Sequence, residues 1–243
     1  MLALIDGDVL LHSCLWGTKN LQEAKDKLDY SINEWMLGSF CDDAVIAVGP
    51  ADGKNFRDDL YSEYKQTATR IKGRKEKLDH FYEAKDYLYS LSNTLIADNE
   101  EADDLIGILS TQCMDSVIIS SDKDLDQLPG NHWNPGILLK SREPIYYVQS
   151  KQQADRFFLK QMIMGDPIDK IPGLPKVGPV KAAAISAEYG FSQELAERVI
   201  QLYKEIYEDE WLNYFLANGK LLYLRRYPYE TFTMKLYEER LLQ

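Results

Sequence analysis

SVIISSDKDLDQL, residues 116–128, sets three consecutive β-branched residues, Val117 to Ile119, directly ahead of aspartates at 122, 124 and 126. A short apolar run closed by polar residues is the pattern of a buried strand, so these acids fall at its carboxyl end. The arrangement recurs along the chain. LALI at 2–5 leads into Asp6 and Asp8, AVIAV at 44–48 into Asp52, and TLIA at 94–97 into Glu101, Asp103 and Asp104. Between these runs the apolar spacing changes to three and four residues, as in Leu21, Ala24, Leu28, Ile32 and Trp35, and again in Ala102, Leu105, Ile106 and Leu109. That is the period of helices with one buried face. Alternating strands and helices predict an α/β fold, a mostly parallel central sheet with helices on both faces.

Beyond about residue 150 the strand signals fade. Ser150 stands where it can cap a helix running to Met164, a Gly/Pro-rich turn occupies 165–179, and helical spacing resumes to about residue 217. The expected organisation is an α/β core over 1–150 and a helical region over 151–243. A chain of 243 residues with 45% hydrophobic and 28% charged residues is ordinary for a globular protein and excludes a disordered or collagen-like one. Cys14, Cys41 and Cys113 form no CxxC pair and have only His12, His80 and His132 for company, which argues against a disulfide framework and a zinc site. The opening MLALIDGDVLLHSCLWG is interrupted by acids and has no basic start, so no signal peptide is expected. No run approaches the ~20 apolar residues of a membrane span, and a cytoplasmic location is the expectation.

With 39 acidic against 28 basic residues the net charge is −11, which looks wrong for a nucleic-acid binder until the acids are placed. Taken singly, an Asp or Glu near a helix start is commonly a cap or a dipole partner. Recurrence after every strand is different, because the carboxyl ends of parallel strands share one crevice. Converging carboxylates repel one another unless a cation sits among them. Oxygen ligands without histidine or cysteine point to Mg²⁺, with Mn²⁺ able to substitute. So many acids suffice for two ions, an arrangement suited to phosphodiester hydrolysis. Against this acidity stands YKQTATRIKGRKEK at 64–77, with Lys65, Arg70, Lys72, Arg74, Lys75 and Lys77 against Glu76 alone. Tyr61 and Tyr64 before it and His80, Phe81 and Tyr82 after it mix phosphate-neutralising charge with stacking surfaces. In GDPIDKIPGLPKVGPVK, residues 165–181, Gly173 and Gly178 bracket a tight turn ahead of a helix, where backbone amides can approach a phosphate, with Lys176 and Lys181 adding charge.

These motifs together resemble the 5′-nucleases: flap endonucleases, the 5′-nuclease domain of bacterial DNA polymerase I and stand-alone bacteriophage 5′-exonucleases. NEEADD at 99–104, SSDKDLDQL at 120–128 and MGDPIDKIPGLPKVGP at 164–179 match the family's acidic and hairpin motifs in order, with IDGD at 5–8 and the stretch from 51 to 65 completing the set over roughly residues 2–190. The resemblance implies a PIN-like nuclease core and a helix-hairpin-helix-type element at about 151–190. It implies one metal site from Asp6, Asp52, Glu101, Asp103 and Asp104 and a second from Asp122, Asp124, Asp166 and Asp169, with Asp8 and Asp126 supporting them. Lys65 is implied as the lysine at the scissile phosphate, assisted by Arg70. Tyr64, Arg74, Gly173, Lys176, Gly178 and Lys181 are implied to contact DNA, with K⁺ at the hairpin, and the segment at about 58–82 forms the arch over the 5′ strand. The implied substrate is DNA with a 5′ end or flap at a duplex junction, extending to RNA–DNA hybrids, cut by a monomer in a bacterial or phage-infected cell. An RNA-cleaving nuclease of similar shape and a non-catalytic junction binder are the rivals; the duplex-binding hairpin disfavours the first and the full acid set the second. Lys170 and Lys176 replace the Asn and Gly usual in this hairpin, and the arch span is short for the family.

Overall fold

The computed structural model describes residues 1–67, 72, 78–136 and 143–242. In chain order the described elements are β1 (Leu2–Asp6), α1 (Gly7–Leu15), α2 (Leu21–Gly38), β2 (Asp43–Val48), α3 (Phe56–Leu60), α4 (Phe81–Ser90), β3 (Thr94–Ile96), α5 (Ala102–Gln112), β4 (Ser116–Ile119), a 3₁₀ turn (Lys123–Gln127), β5 (Gly130–Asn134) and β6 (Ile145–Gln149). They continue with α6 (Lys151–Met164), β7 (Gly165–Asp166), β8 (Ile171–Pro172), α7 (Pro179–Ala187), α8 (Ser192–Tyr207), α9 (Trp211–Leu222) and α10 (Met234–Leu241). The main sheet has the order β3-β2-β1-β4-β5-β6, parallel except for β6. The chain fills the sheet outward from β1 on one side, then returns to β1 and fills the other side. The strand order therefore reverses between β1 and β4, and a crevice opens there at their carboxyl ends.

Alternate residues of each strand feed two apolar layers. Ala3, Ile5, Ile46, Val48, Val117 and Ile119 meet Leu10 and Leu11 of α1, Leu28 and Ile32 of α2, and Phe81 and Leu88 of α4. Leu4, Ala47 and Ile118 face the other way, onto Ile106 of α5, Leu125, Leu128 and Leu224. A third core joins Phe158, Leu159 and Met162 of α6 to Tyr203, Phe215 and Tyr237 from the helices that follow.

The predicted helix from Ser150 to Met164 forms with a capping box between Ser150 and Gln153. Helical structure extends past 217, through α9 to Leu222 and again in α10. Between them residues 223–226 cross back over the α/β layers as a strap. A Cβ on Gly107 would lie 2.2 Å from the carbonyl oxygen of Arg225, so only glycine lets the strap lie this close to α5. Gly165 and Gly173 meet with similar closeness in the β7–β8 hairpin, where a Cβ on either would sit within 2.3 Å of facing backbone. Arg57 anchors the assembly: fully buried, it donates to both oxygens of Asp104 at 2.5 and 3.0 Å and to the carbonyls of Leu221 and Tyr223 at 2.8 and 2.9 Å.

Of the expected arch at about 58–82, residues 68–71 and 73–77 lie outside the described residues. Its flanks are fixed, with Tyr64 in the helical core and Phe81 in the sheet core. Among the described residues no helix is long and apolar enough to cross a membrane.

Candidate active site

The crevice between β1 and β4 is built from strand ends and helix starts. Asp6 closes β1 and caps α1 by accepting from the Val9 amide at 3.0 Å. Its other oxygen accepts from the Ser120 hydroxyl at 2.8 Å, and the same hydroxyl accepts from the Asp122 amide at 2.9 Å. Asp122 in turn caps the 3₁₀ turn by accepting from the Asp124 amide at 3.0 Å. One serine thus ties the two strand ends together across the switch point. Glu101 is the cap residue of α5 and Asp103 stands in its first turn, where the helix dipole favours negative charge.

Two adjoining hollows share this floor. A cleft of about 340 Å³ is walled by Asp6, Asp8, Glu101, Asp103 and Asp122 with Lys65, His12 and Lys85. A smaller one of about 50 Å³ takes in Asp124, Asp166 and Asp169 with Gln127 and Gln161. Lys65, Glu101, Asp103 and Asp122 line both. The Lys65 ammonium is bonded to Glu101 and lies 3.8 Å from Asp169, while its backbone amide donates to the Asp169 carbonyl at 3.0 Å. The backbone of Lys65 is left-handed, at φ 54°, which turns the side chain into the boundary between the two acid groups.

The charges are unevenly compensated. Burial opposes ionisation of Glu101, yet Lys65 and Arg57 hold its carboxyl down at about 2. Burial of Asp6 outweighs its two hydrogen bonds and, with Asp8 and Asp122 nearby, pushes it up to about 7. Asp124 is likewise pushed up to about 7 by burial and by Asp122 and Asp166. Asp103 is raised by burial and by Asp6 and Asp122. Carboxylates on both sides of the lysine therefore carry unrelieved repulsion, which a divalent cation would discharge. An all-oxygen donor set fits a hard cation. Among the described residues no three acids close around a single point as a formed ligand cage would.

Some expected site residues are elsewhere. Asp104 is wholly buried with its oxygens taken by Arg57 and by the amides of Glu101 and Arg225, which removes it from the metal-ligand set. Asp52 is exposed in the loop after β2, lines neither hollow and accepts from the Lys54 amide at 3.0 Å. Tyr64 is 3% exposed and donates its hydroxyl to Glu101 at 2.6 Å, so it braces the acid and offers no face to DNA. Asp8 lines the larger cleft directly, whereas Asp126 lines neither hollow and accepts from Tyr147. Arg70 and Arg74 lie outside the described residues. In the hairpin, Gly173 serves the close backbone approach, Gly178 caps α7, and Lys176 and Lys181 are exposed, Lys176 at a left-handed φ of 60° where glycine is the easier choice.

The structure adds residues that sequence reasoning missed. Gln161 donates to Asp124 at 3.0 Å and accepts from Gln127 at 2.7 Å, and Gln127 also donates to the Leu222 carbonyl at 2.7 Å. A glutamine inside the apolar stripe of Phe158, Leu159, Met162 and Ile163 was the visible signal. Arg57, the counter-charge to Asp104, had none.

A sequence model of the family described as 5′-3′ exonuclease, N-terminal resolvase-like domain, matches residues 1–154. The chain belongs to this 5′-3′ exonuclease family. Within it, a 5′-3′ exonuclease of Mycoplasma pneumoniae is 35% identical over 148 residues, 56% of this chain and 50% of that protein. The flap endonuclease Xni of Shewanella woodyi is 31% identical over 156 residues, 58% of either chain. DNA polymerase I of Chloroflexus aurantiacus is 26% identical over 226 residues, 82% of this chain but 23% of the polymerase. The chain thus spans about half the length of the two nucleases and about a quarter of the polymerase. In fold it is similar to T5 5′-exonuclease with bound divalent metal ions, at a TM-score of 0.63 and 18% identity over 91% of this chain and 88% of that one. Flap endonuclease-1 from Methanococcus jannaschii aligns with a TM-score of 0.56 and 12% identity over 94% of this chain and 80% of that one.

Proposed function

We propose that the protein is a Mg²⁺-dependent, structure-selective 5′-nuclease that hydrolyses phosphodiesters near DNA 5′ ends and flaps, leaving 5′-phosphates. The observation that carries this is the pair of acid groups meeting at one lysine in the switch-point crevice. Asp6, Asp103, Asp122 and Glu101 would hold one ion, and Asp124, Asp166 and Asp169, with Asp122 between, the other. Bound ions supply the Lewis-acid charge that activates water and neutralises the phosphate in the transition state.

The rest falls to the chain's own groups. Lys65 is kept protonated: burial works against its charge, but Glu101 and Asp169 raise its pKa. Its ammonium, held at the boundary of the two hollows, donates to a phosphate oxygen where negative charge builds. Ser120 keeps Asp6 and the Asp122 loop at fixed separation. Exposed Lys176 and Lys181 at the hairpin would meet duplex backbone phosphates, where a bound K⁺ would add positive charge.

The reading is tested with end-labelled flap, nicked, blunt and RNA–DNA hybrid substrates, in Mg²⁺, in Mn²⁺ and with chelator. The expected result is short 5′-phosphorylated products with either metal and none with chelator. The double variant D122N/D124N loses more than about 10³-fold in cleavage while junction binding stays within a few fold. Undiminished cleavage by that variant in Mg²⁺ sinks the metal assignment.

A further inference from the structure

At the far end of the sheet from the acid cleft, where β4 and β5 begin, lies a hollow of about 760 Å³. That volume is in the range of small-molecule sites. One wall is uncharged among its described residues, with Ser110 and Thr111 of α5, Met114, Ile118, Pro129 and Asn131. The other, from the strap, α10 and the start of α6, supplies three cations, Arg226, Arg240 and Lys151, in a chain of net charge −11.

Lys151 and Arg240 share one buried acid, Asp155, at 2.8 and 3.8 Å. The two acids of the lining are engaged elsewhere. Glu239 pairs with Lys235 at 3.6 Å, and Glu230 accepts from the Arg226 amide at 2.7 Å and the Tyr223 hydroxyl at 3.0 Å. The Arg226 side chain, in a residue 5% exposed, donates to backbone carbonyls, those of Leu224 and Arg225 and, at 2.7 Å, that of Gln127. Its Nε has no partner among the described residues. The guanidiniums of Arg226 and Arg240 both stand over the Tyr223 ring, each 5.4 Å from its centre. Burial, and then Arg240, push the pKa of Arg226 down to about 10, so at neutral pH it is charged and repelled by its neighbour. A buried cation without a counter-charge is costly, and an anion seated beside it relieves that cost. Next in the chain, Tyr227 lines the same hollow and is 59% exposed.

We propose that this hollow binds a nucleoside 5′-monophosphate, its phosphate among Arg226, Arg240 and Lys151 and its base against Tyr227 and the uncharged wall. The inference rests on the nuclease reading, because exonucleolytic cutting that leaves 5′-phosphates releases such mononucleotides. It adds a product site at the opposite end of the sheet from the cleft. The Ser110 and Thr111 hydroxyls and the Asn131 amide can meet sugar and base edges. Inorganic phosphate or a nucleoside alone satisfies only half of the lining. Stacking on one aromatic is sequence-tolerant, so the site takes any base.

The test is calorimetric titration of the full chain, in chelator, with deoxyadenosine monophosphate, deoxyadenosine and inorganic phosphate. The mononucleotide is expected to saturate one site, and each half to bind at least about tenfold more weakly. Tyr227→Ala should raise its Kd roughly tenfold and Arg226→Gln by more, whereas D122N/D124N, altered in the acid cleft, should leave it unchanged. Tyr227 is exposed, so its variant decides the matter even where Arg226→Gln fails to fold. No saturation of the wild type by about 10 mM, or an unchanged Kd for Tyr227→Ala, overturns the site. So does phosphate that binds as tightly as the mononucleotide, or a Kd weakened in D122N/D124N, which returns the binding to the acid cleft. Any of these leaves the nuclease reading standing while the wild type cuts flap DNA in Mg²⁺. A wild type that cuts no DNA in Mg²⁺ overturns the nuclease reading itself.

Discussion

Asp103 and Asp104 are neighbours in sequence with opposite duties. One position on a helix is a rotation of about 100°, so when Asp103 faces the crevice, Asp104 faces the interior. There it meets Arg57, and the bidentate pair is sealed from water. Breaking a buried ion pair from one side leaves a bare charge behind, at a cost of about 3–5 kcal/mol. Asp104→Asn is therefore expected to lower unfolding free energy by that order in urea titrations, with the Mg²⁺ requirement of the remaining folded enzyme unchanged; a shifted requirement would return Asp104 to the ligand set. Lys65 has the reverse profile. Under the proposed mechanism its charge meets the phosphate where negative charge builds, so Lys65→Ala should cut kcat by roughly 10²–10³-fold with little change in KM. Equal losses in both would make it a positioning contact. The pairing of Arg57 with Asp104 was not legible in the sequence, since nothing in FRDDL marks an arginine as the partner of an acid 47 positions later. Tyr64 was misplaced for a related reason: its neighbours are basic, but its ring is drawn into the helical core and its hydroxyl to Glu101.

At the level of elements, the first four strands and the acids behind them were legible because apolar runs ending in acid are local patterns. β5 was not. GNHWN contains no apolar run, yet His132 bonds the Leu128 carbonyl at 2.8 Å and Asn131 the Ser116 carbonyl at 3.3 Å, so pairing with β4 meets the polar groups' needs. β6 lies antiparallel at the sheet edge with Ile145 and Val148 exposed, which erases the alternation that would have marked it. The helix α6 does more than pack, because its Gln161 holds Asp124 through an amide chain that continues to Gln127 and Leu222. Outer partners of metal ligands are worth about 10–100-fold in metal affinity. Gln161→Leu should accordingly raise the Mg²⁺ concentration for half-maximal cleavage by about tenfold or more, measured by metal titration. An unchanged half-maximum would reduce the amide chain to packing.

For the molecule as a whole, the acid cleft is expected to make stability depend on pH and, under the proposed function, on metal as well. Asp6 and Asp124 have folded pKa values of about 7, above their value of 3.8 when unfolded, so between those limits the native state binds more protons than the unfolded one. Their stabilising contribution is complete below 3.8 and is lost as pH rises through about 7. Glu101 acts oppositely: depressed to about 2 from 4.5, it supports the fold above 4.5 and ceases to as pH falls toward 2. In chelator, Tm should therefore fall as pH is raised from about 5 to 8, and Mg²⁺ should flatten that decline by holding the carboxylates ionised. Identical slopes with and without Mg²⁺ would mean no ion binds among them. The strap at 223–226 has a consequence in time. It closes over α5 at Gly107 and supplies the Tyr223 carbonyl to Arg57, the Leu224 amide to Gln127 and the Arg225 amide to Asp104. During synthesis the acids of β1, β4 and α5 leave the ribosome long before it does. A nascent chain thus carries every carboxylate of the crevice but not the segment that braces them, and the crevice is set only after residue 226 has emerged and docked.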